Sequence, residues 1–189
     1  MNKIDKMEFL GEHMKKVKLF IAMSLDGYIA NKNGSVNFLQ GHEESIESEG
    51  AYSDFIRGID TVLMGWNTYN QIVTELSPDN WVYDNLLTYV FTHREQKNTS
   101  NVLFTSDNFV ESVEKLKGGD GKDIWICGGA SLVQQALSSD IIDEYFISII
   151  PTILGDGIRL FNQNDVEHKL KLINSATNNG IIELNFTRR

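Results

Sequence analysis

The sequence predicts an α/β fold in which a mostly parallel sheet is covered by helices on both faces and ends in an antiparallel C-terminal hairpin. Three observations carry this. Short apolar runs alternate with stretches of helical period from Val17 to Leu137. Those runs are apolar almost throughout, as strands buried on both faces are. After Pro151 the pattern changes to strand signals alone, closing on the pair around Asn178-Asn179-Gly180.

Val17 to Ala22 reads as the first strand, ended by Ser24-Leu25-Asp26-Gly27; Asn31-Lys32-Asn33-Gly34 is turn chemistry. Ser45 or Ser48 can cap a helix carrying Ala51, Tyr52, Phe55 and Ile56 on one stripe. Asp60 to Gly65 is a buried strand closing on glycine, and Asn67 to Val73 turns into a helix. Leu86 to Phe91 and Val102 to Phe104 are further strands. Asp107 caps a helix with Phe109, Val110, Val113 and Leu116 on one face, stopped by Gly118-Gly119. Asp123 to Cys127 is a strand running straight into Gly128-Gly129, followed by a helix with Leu132, Val133, Ala136 and Leu137 on one face. Ile142 to Ile150 is a long β-branched strand. Lys169 to Ala176 and Ile181 to Thr187 flank an Asn-Gly pair suited to a tight hairpin.

A chain of 189 residues supports one domain, expected over residues 17–189, with no repeat and no linker. Met1 to Lys16 has scattered charges and no signal-peptide core, and is expected to lie outside the fold. The net charge of −9 argues against nucleic-acid and anionic-membrane partners, which need a basic surface. No stretch approaches the ~20 apolar residues of a membrane helix. The single cysteine, Cys127, excludes an internal disulfide and suits a reducing, cytoplasmic setting. His13, His42, His93 and His168 are scattered without zinc-ligand spacing, so no metal is expected.

Three strand-to-helix turns are small or polar: Gly65-Trp66-Asn67-Thr68, Thr92-His93-Arg94 and Gly128-Gly129-Ala130-Ser131. In an open α/β sheet, ligands gather at the carboxyl ends of the strands, where helix starts offer unpaired N–H groups to phosphate. Neither GxGxxG nor GxxxxGK[ST] is present.

Ile21-Ala22-Met23-Ser24-Leu25-Asp26-Gly27-Tyr28-Ile29-Ala30, Asp60 through Tyr69, and Ile126-Cys127-Gly128-Gly129-Ala130-Ser131-Leu132 resemble the dihydrofolate reductase superfamily. Asp143-Glu144-Tyr145, with Ile150-Pro151-Thr152-Ile153-Leu154-Gly155-Asp156-Gly157-Ile158-Arg159-Leu160-Phe161, is similar to the reductase domain of the riboflavin-biosynthesis deaminase-reductase and its stand-alone relatives. The resemblance runs from Val17 to Arg189. It implies a three-layer α/β/α sandwich of dihydrofolate-reductase type and a reductase using NADPH, with NADH as the alternative. By position, Ala22 and Ile29 would flank the nicotinamide. Gly65, Asn67 and Thr68 would form one phosphate-binding helix start, and Thr92, His93 and Arg94 would meet the adenosine end. Gly128, Gly129, Ala130, Ser131 and Leu132 would cradle the pyrophosphate. In this family the two glycines are commonly joined by a cis peptide. The family usually has a basic residue directly after Met-Gly, at the ribose 2′-phosphate. Here it is Trp66, and Arg94 is the nearest replacement. Relatives often pair through their terminal strands, which implies a homodimer.

Hydride transfer is the cofactor's chemistry, so the protein must orient two rings and supply a proton. The Trp-Pro-rich loop of true dihydrofolate reductases is replaced by Gly34 to Gln40. Glu49 is the carboxylate nearest the expected place of the acid, at the margin of the Ala51/Tyr52/Phe55/Ile56 stripe. Asp26 is the other candidate, with a turn role ranked above catalysis. Phe38, Tyr52, Phe55 and Trp66 are candidate aromatic walls for a planar substrate, or else core. Cys127 reads as a core thiol. No zinc-deaminase signature precedes the fold, so a reductase alone is expected. Three readings follow: a riboflavin-reductase-like enzyme acting on a small heterocyclic or carbonyl compound, an atypical dihydrofolate reductase, and a dinucleotide-binding module without turnover.

Overall fold

The computed structural model describes residues 14–42, 51–162 and 167–189. Its strands are β1 (Val17–Ser24), β2 (Tyr28–Ala30), β3 (Ile59–Gly65), β4 (Leu87–Phe91), β5 (Val102–Thr105), β6 (Asp123–Gly128), β7 (Glu144–Ile150), β8 (Ile158–Arg159), β9 (Leu170–Asn178) and β10 (Ile181–Arg188). Its helices are α1 (Tyr52–Arg57), α2 (Trp66–Gln71), α3 (Phe109–Lys117) and α4 (Ala130–Ser138). A π-helical turn over Ile72–Leu76 extends α2. Eight strands form one sheet in the order β5-β4-β3-β6-β1-β7-β10-β9. The first six are mutually parallel; β10 runs antiparallel to both β7 and β9, as the sequence predicts.

Strand alternation assigns the two faces. Leu19, Leu63, Ile124 and Ile126 join Phe109 and Val113 of α3 and Val133 and Ala136 of α4 on one side. Val62, Met64 and Trp125 join Phe55 of α1 and Ile72 on the other. Leu63, Met64, Ile124 and Ile126 are fully buried, each contributing ~1.5–3 kcal/mol by leaving water. The result is a three-layer α/β/α sandwich whose edge strand β9 is largely exposed.

Several boundaries move. Lys15 and Lys16, expected outside the fold, belong to it. Lys15 is buried with its ammonium on Asp60 at 3.2 Å, and Lys16 donates its N–H to Asp123 and accepts from Ile124 N. β1 continues to Ser24, two residues beyond the expected end. The cap of α3 is Asn108 rather than Asp107, because Asn108 holds extended backbone and its side chain accepts from Glu111 N at 3.1 Å. Ser45 and Ser48 lie outside the described residues; α1 follows Ala51, with no side-chain cap. β7 starts at Glu144, since Asp143 is held at the start of β1 through both its N–H and its carboxylate. The short antiparallel pair β2–β8 carried no sequence signal, being too brief to show a period.

Candidate active site

β3 leads through α2 to β4 on one side, and β6 leads through α4 to β7 on the other, although β3 and β6 are neighbours. Connections that leave adjacent strands in opposite directions create the switch-point crevice in which α/β proteins hold ligands. The glycine corners meet there. A Cβ added to Gly65 would stand 3.9 Å from Gly129 N, and one on Gly129 would stand 3.4 Å from Thr68 Oγ1. One on Gly128 would stand 3.6 Å from Ile21 Cδ1 and 3.8 Å from Thr68 Oγ1. Gly128 has φ +130°, a conformation that excludes L side chains, and its bond to Gly129 is cis, as the resemblance implies. Side chains at these corners would narrow the crevice between them.

Gly129 starts α4 with no side-chain cap, so Ala130 and Ser131 lead the helix with the N–H groups that suit an anion. Leu132 instead turns into the core, and its N–H is taken by Gly129 O at 3.1 Å. Phe91 of β4 stands opposite Gly65, so Thr92, His93 and Arg94 emerge beside the start of α2. Thr92 Oγ1 accepts from Arg94 N at 3.1 Å, and the Arg94 guanidinium lies 5.1 Å above the Trp66 ring. His93 and Asn67 are exposed next to these corners. Ala22 follows Ile21 on the facing strand, and Ile29 of β2 packs on the α4 side.

The expected acids and aromatic walls separate. Glu49 lies outside the described residues. Asp26 is tied down: Ser24 Oγ donates to Oδ1 at 2.6 Å, Leu154 N to Oδ1 at 3.1 Å and Gly155 N to Oδ2 at 2.7 Å. The Ser24 hydroxyl first, and then the two N–H groups, hold its carboxyl below the usual range, opposite to what a proton donor needs. Asp26 thus fastens the loop after β7 to the end of β1. Phe55, expected as a pocket wall, is core: it is 6% exposed, with its ring 4.6 Å from Phe20, 5.1 Å from Phe146 and 5.6 Å from Trp125. Its stripe faces the sheet and leaves only Tyr52, 38% exposed, at the margin against Phe20 and Trp125. Phe38 is half-buried in the loop of residues 31–42, which docks through Gln71 Nε2 to Gly34 O and His42 N to Asn179 O.

Two residues the sequence reading passed over lie on the face that carries α1. Tyr83 reaches Cys127 Sγ with its hydroxyl at 3.9 Å, and burial pushes the Cys127 thiol up to about 12. Glu183 of β10 stands opposite Ser148 of β7, which stands opposite Ala22 of β1. Alternation of Glu183 and Asn185 against Ile182, Leu184 and Phe186 was visible in the sequence. Only the pairing with β7 shows which sheet face they take.

The family model of the RibD C-terminal domain matches residues 15–181. Over 177 residues the chain is 36% identical to the uncharacterized protein YwjB of Bacillus subtilis (strain 168), covering 92% of this chain and 98% of that one. A putative riboflavin biosynthesis protein from Shewanella sp. PV-4 superposes with a TM-score of 0.79 at 25% identity, covering 92% of this chain and 99% of that one. The Thermotoga maritima diaminohydroxyphosphoribosylaminopyrimidine deaminase/5-amino-6-(5-phosphoribosylamino)uracil reductase shares the fold, with a TM-score of 0.68 at 20% identity, covering 93% of this chain and 57% of that one. The switch-point glycines, the fold and the sequence match agree: the chain belongs to the RibD C-terminal domain family.

Proposed function

We propose that this protein is an NADPH-dependent reductase of a small heterocyclic or carbonyl compound, working in the cytoplasm. The observation that carries the reading is the convergence of Gly65, Thr68, Gly128 and Gly129 on one crevice at the switch point. A pyrophosphate fits this cradle because its glycines present no Cβ and the start of α4 presents N–H donors, which offsets a net charge of −9. When bound, the nicotinamide nucleotide supplies the hydride. Arg94, held over Trp66, is the group for the 2′-phosphate that distinguishes NADPH from NADH. Ala22 is small enough to let a planar ring lie against β1, and Asp26, held by Ser24, ties the loop after β7 to the end of that strand.

The riboflavin-biosynthesis type of reduction is favoured over folate reduction by the family and by Gly34 to Gln40 standing where folate enzymes have a Trp-Pro-rich loop. The uncovered β9–β10 edge is proposed to pair with a second copy of the chain. The test is to titrate NADPH and NADH while following tryptophan emission, then to follow nicotinamide absorbance with dihydrofolate, 5-amino-6-(5-phosphoribosylamino)uracil and small heterocyclic carbonyl compounds. Binding followed by oxidation with a heterocyclic compound other than dihydrofolate supports the proposal. Selective oxidation with dihydrofolate points to the folate reading, and binding with no oxidation across the panel points to a module without turnover.

A further inference from the structure

On the face that carries α1, the cross-strand row of Phe20 and Phe146 is roofed by Phe55, whose ring is 4.6 Å from one and 5.1 Å from the other. The next row towards the carboxyl ends is Ala22, Ser148 and Glu183. Two of its members are small and all three are half-buried, so the sheet floor is low there. With strands spaced about 4.8 Å apart, Glu183 stands roughly 10 Å across the sheet from Ala22, the span of a fused or substituted ring. Tyr52 borders the row at the start of α1.

Glu183 is the charged group of this row. Among the described residues its two oxygens share a single donor, Ala51 N, at 3.2 and 3.3 Å. A carboxylate offers about four acceptor sites, so one shared N–H leaves most of them for a ligand. No Lys, Arg or His pairs with it among the described residues. One row further down the same face, Asn185 Oδ1 is buried with no hydrogen-bond partner among the described residues. Cations are scarce around it. Lys32 is on Asp156, Arg159 is over Tyr28 and Arg94 is over Trp66.

Resting on the reductase reading above, we propose that Glu183 is the substrate-recognition carboxylate, and that the substrate is an unphosphorylated heterocycle presenting adjacent N–H donors, such as an amino-substituted or protonated ring. A carboxylate matches two neighbouring N–H groups with two parallel charge-assisted bonds. The same carboxylate repels a phosphate, and Lys18, the cation over Phe146 on this face, is already held by Asp123 at 2.9 Å and Glu144 at 3.3 Å.

The test uses 2,4-diaminopyrimidine as the probe and the NADPH-loaded protein, comparing wild type with Glu183→Gln. The amide keeps an acceptor for Ala51 N, so NADPH affinity and melting temperature are expected to stay as in wild type. Probe affinity is expected to fall at least tenfold. Excess ribose 5-phosphate should leave the probe in place. Equal probe affinity in the two proteins, a purely structural loss of melting temperature, or displacement of the probe by ribose 5-phosphate while NADPH stays bound would each overturn the inference. Failure of NADPH to bind wild type would instead remove the reductase reading beneath it.

Discussion

The guanidinium of Arg94 lies 5.1 Å above the ring of Trp66, joining the end of β4 to the start of α2. The sequence places Trp66 where the resemblance implies a basic residue, and Arg94, just after the neighbouring strand, stands over it. Planar stacking fixes the guanidinium fork while leaving its N–H groups for a phosphate. Arg94→Ala is therefore expected to weaken NADPH binding by at least tenfold and NADH binding by less than threefold, about 1.4 kcal/mol or more of selectivity. Parallel titrations of the two nucleotides measure it, and an equal loss for both removes Arg94 from the 2′-phosphate.

Asp26 gives a pH-dependent stability term whose sign follows from its bonds. Its folded carboxyl is held below the ordinary aspartate value of about 3.9, so its contribution is complete above that value and disappears as pH falls through the folded one. The melting-temperature gap between wild type and Asp26→Asn should be constant at neutral pH and close below about pH 4. A gap that widens in acid contradicts the assignment.

Cys127 is expected to be unreactive in the native protein. Burial holds its thiol at about 12, so the thiolate is scarce at neutral pH. An aromatic disulfide reagent should release no thiol signal from folded protein and one equivalent per chain in denaturant. Rapid labelling of the native state would place Cys127 at an open surface.

The β9–β10 edge exposes Leu172 at 51%, Ile173 at 55% and Ile182 at 41%, an apolar edge that soluble proteins cover or protect. Leu172→Glu is expected to halve the solution mass of a dimeric protein as measured by light scattering after gel filtration. A wild type that runs as a monomer contradicts pairing through this edge.

The sequence made the sheet legible because its buried strands are short, apolar and bounded by turn residues, and Asp60 to Gly65 and Asp123 to Cys127 appear almost at their observed limits. It made the glycine corners legible as strand-to-helix turns, although Gly-Gly after a strand serves more often as simple turn chemistry and only the switch-point geometry brings the corners together. The substrate side was harder. Phe55 and Tyr52 share one helical stripe, and only tertiary packing decides that the first enters the core and the second stays at the rim. Glu183 sits more than one hundred residues from Ala22 in sequence, and its place in the same row depends on two long-range strand registers.

Calorimetric titration of the wild-type chain with NADPH, beside Gly129→Val, tests the central claim most directly. A Cβ at Gly129 would stand 3.4 Å from Thr68 Oγ1, and valine adds two further methyls at that corner. The account predicts one NADPH bound per wild-type chain and no measurable heat with the folded variant. Equal NADPH binding by both proteins, or none by the wild type, would contradict it.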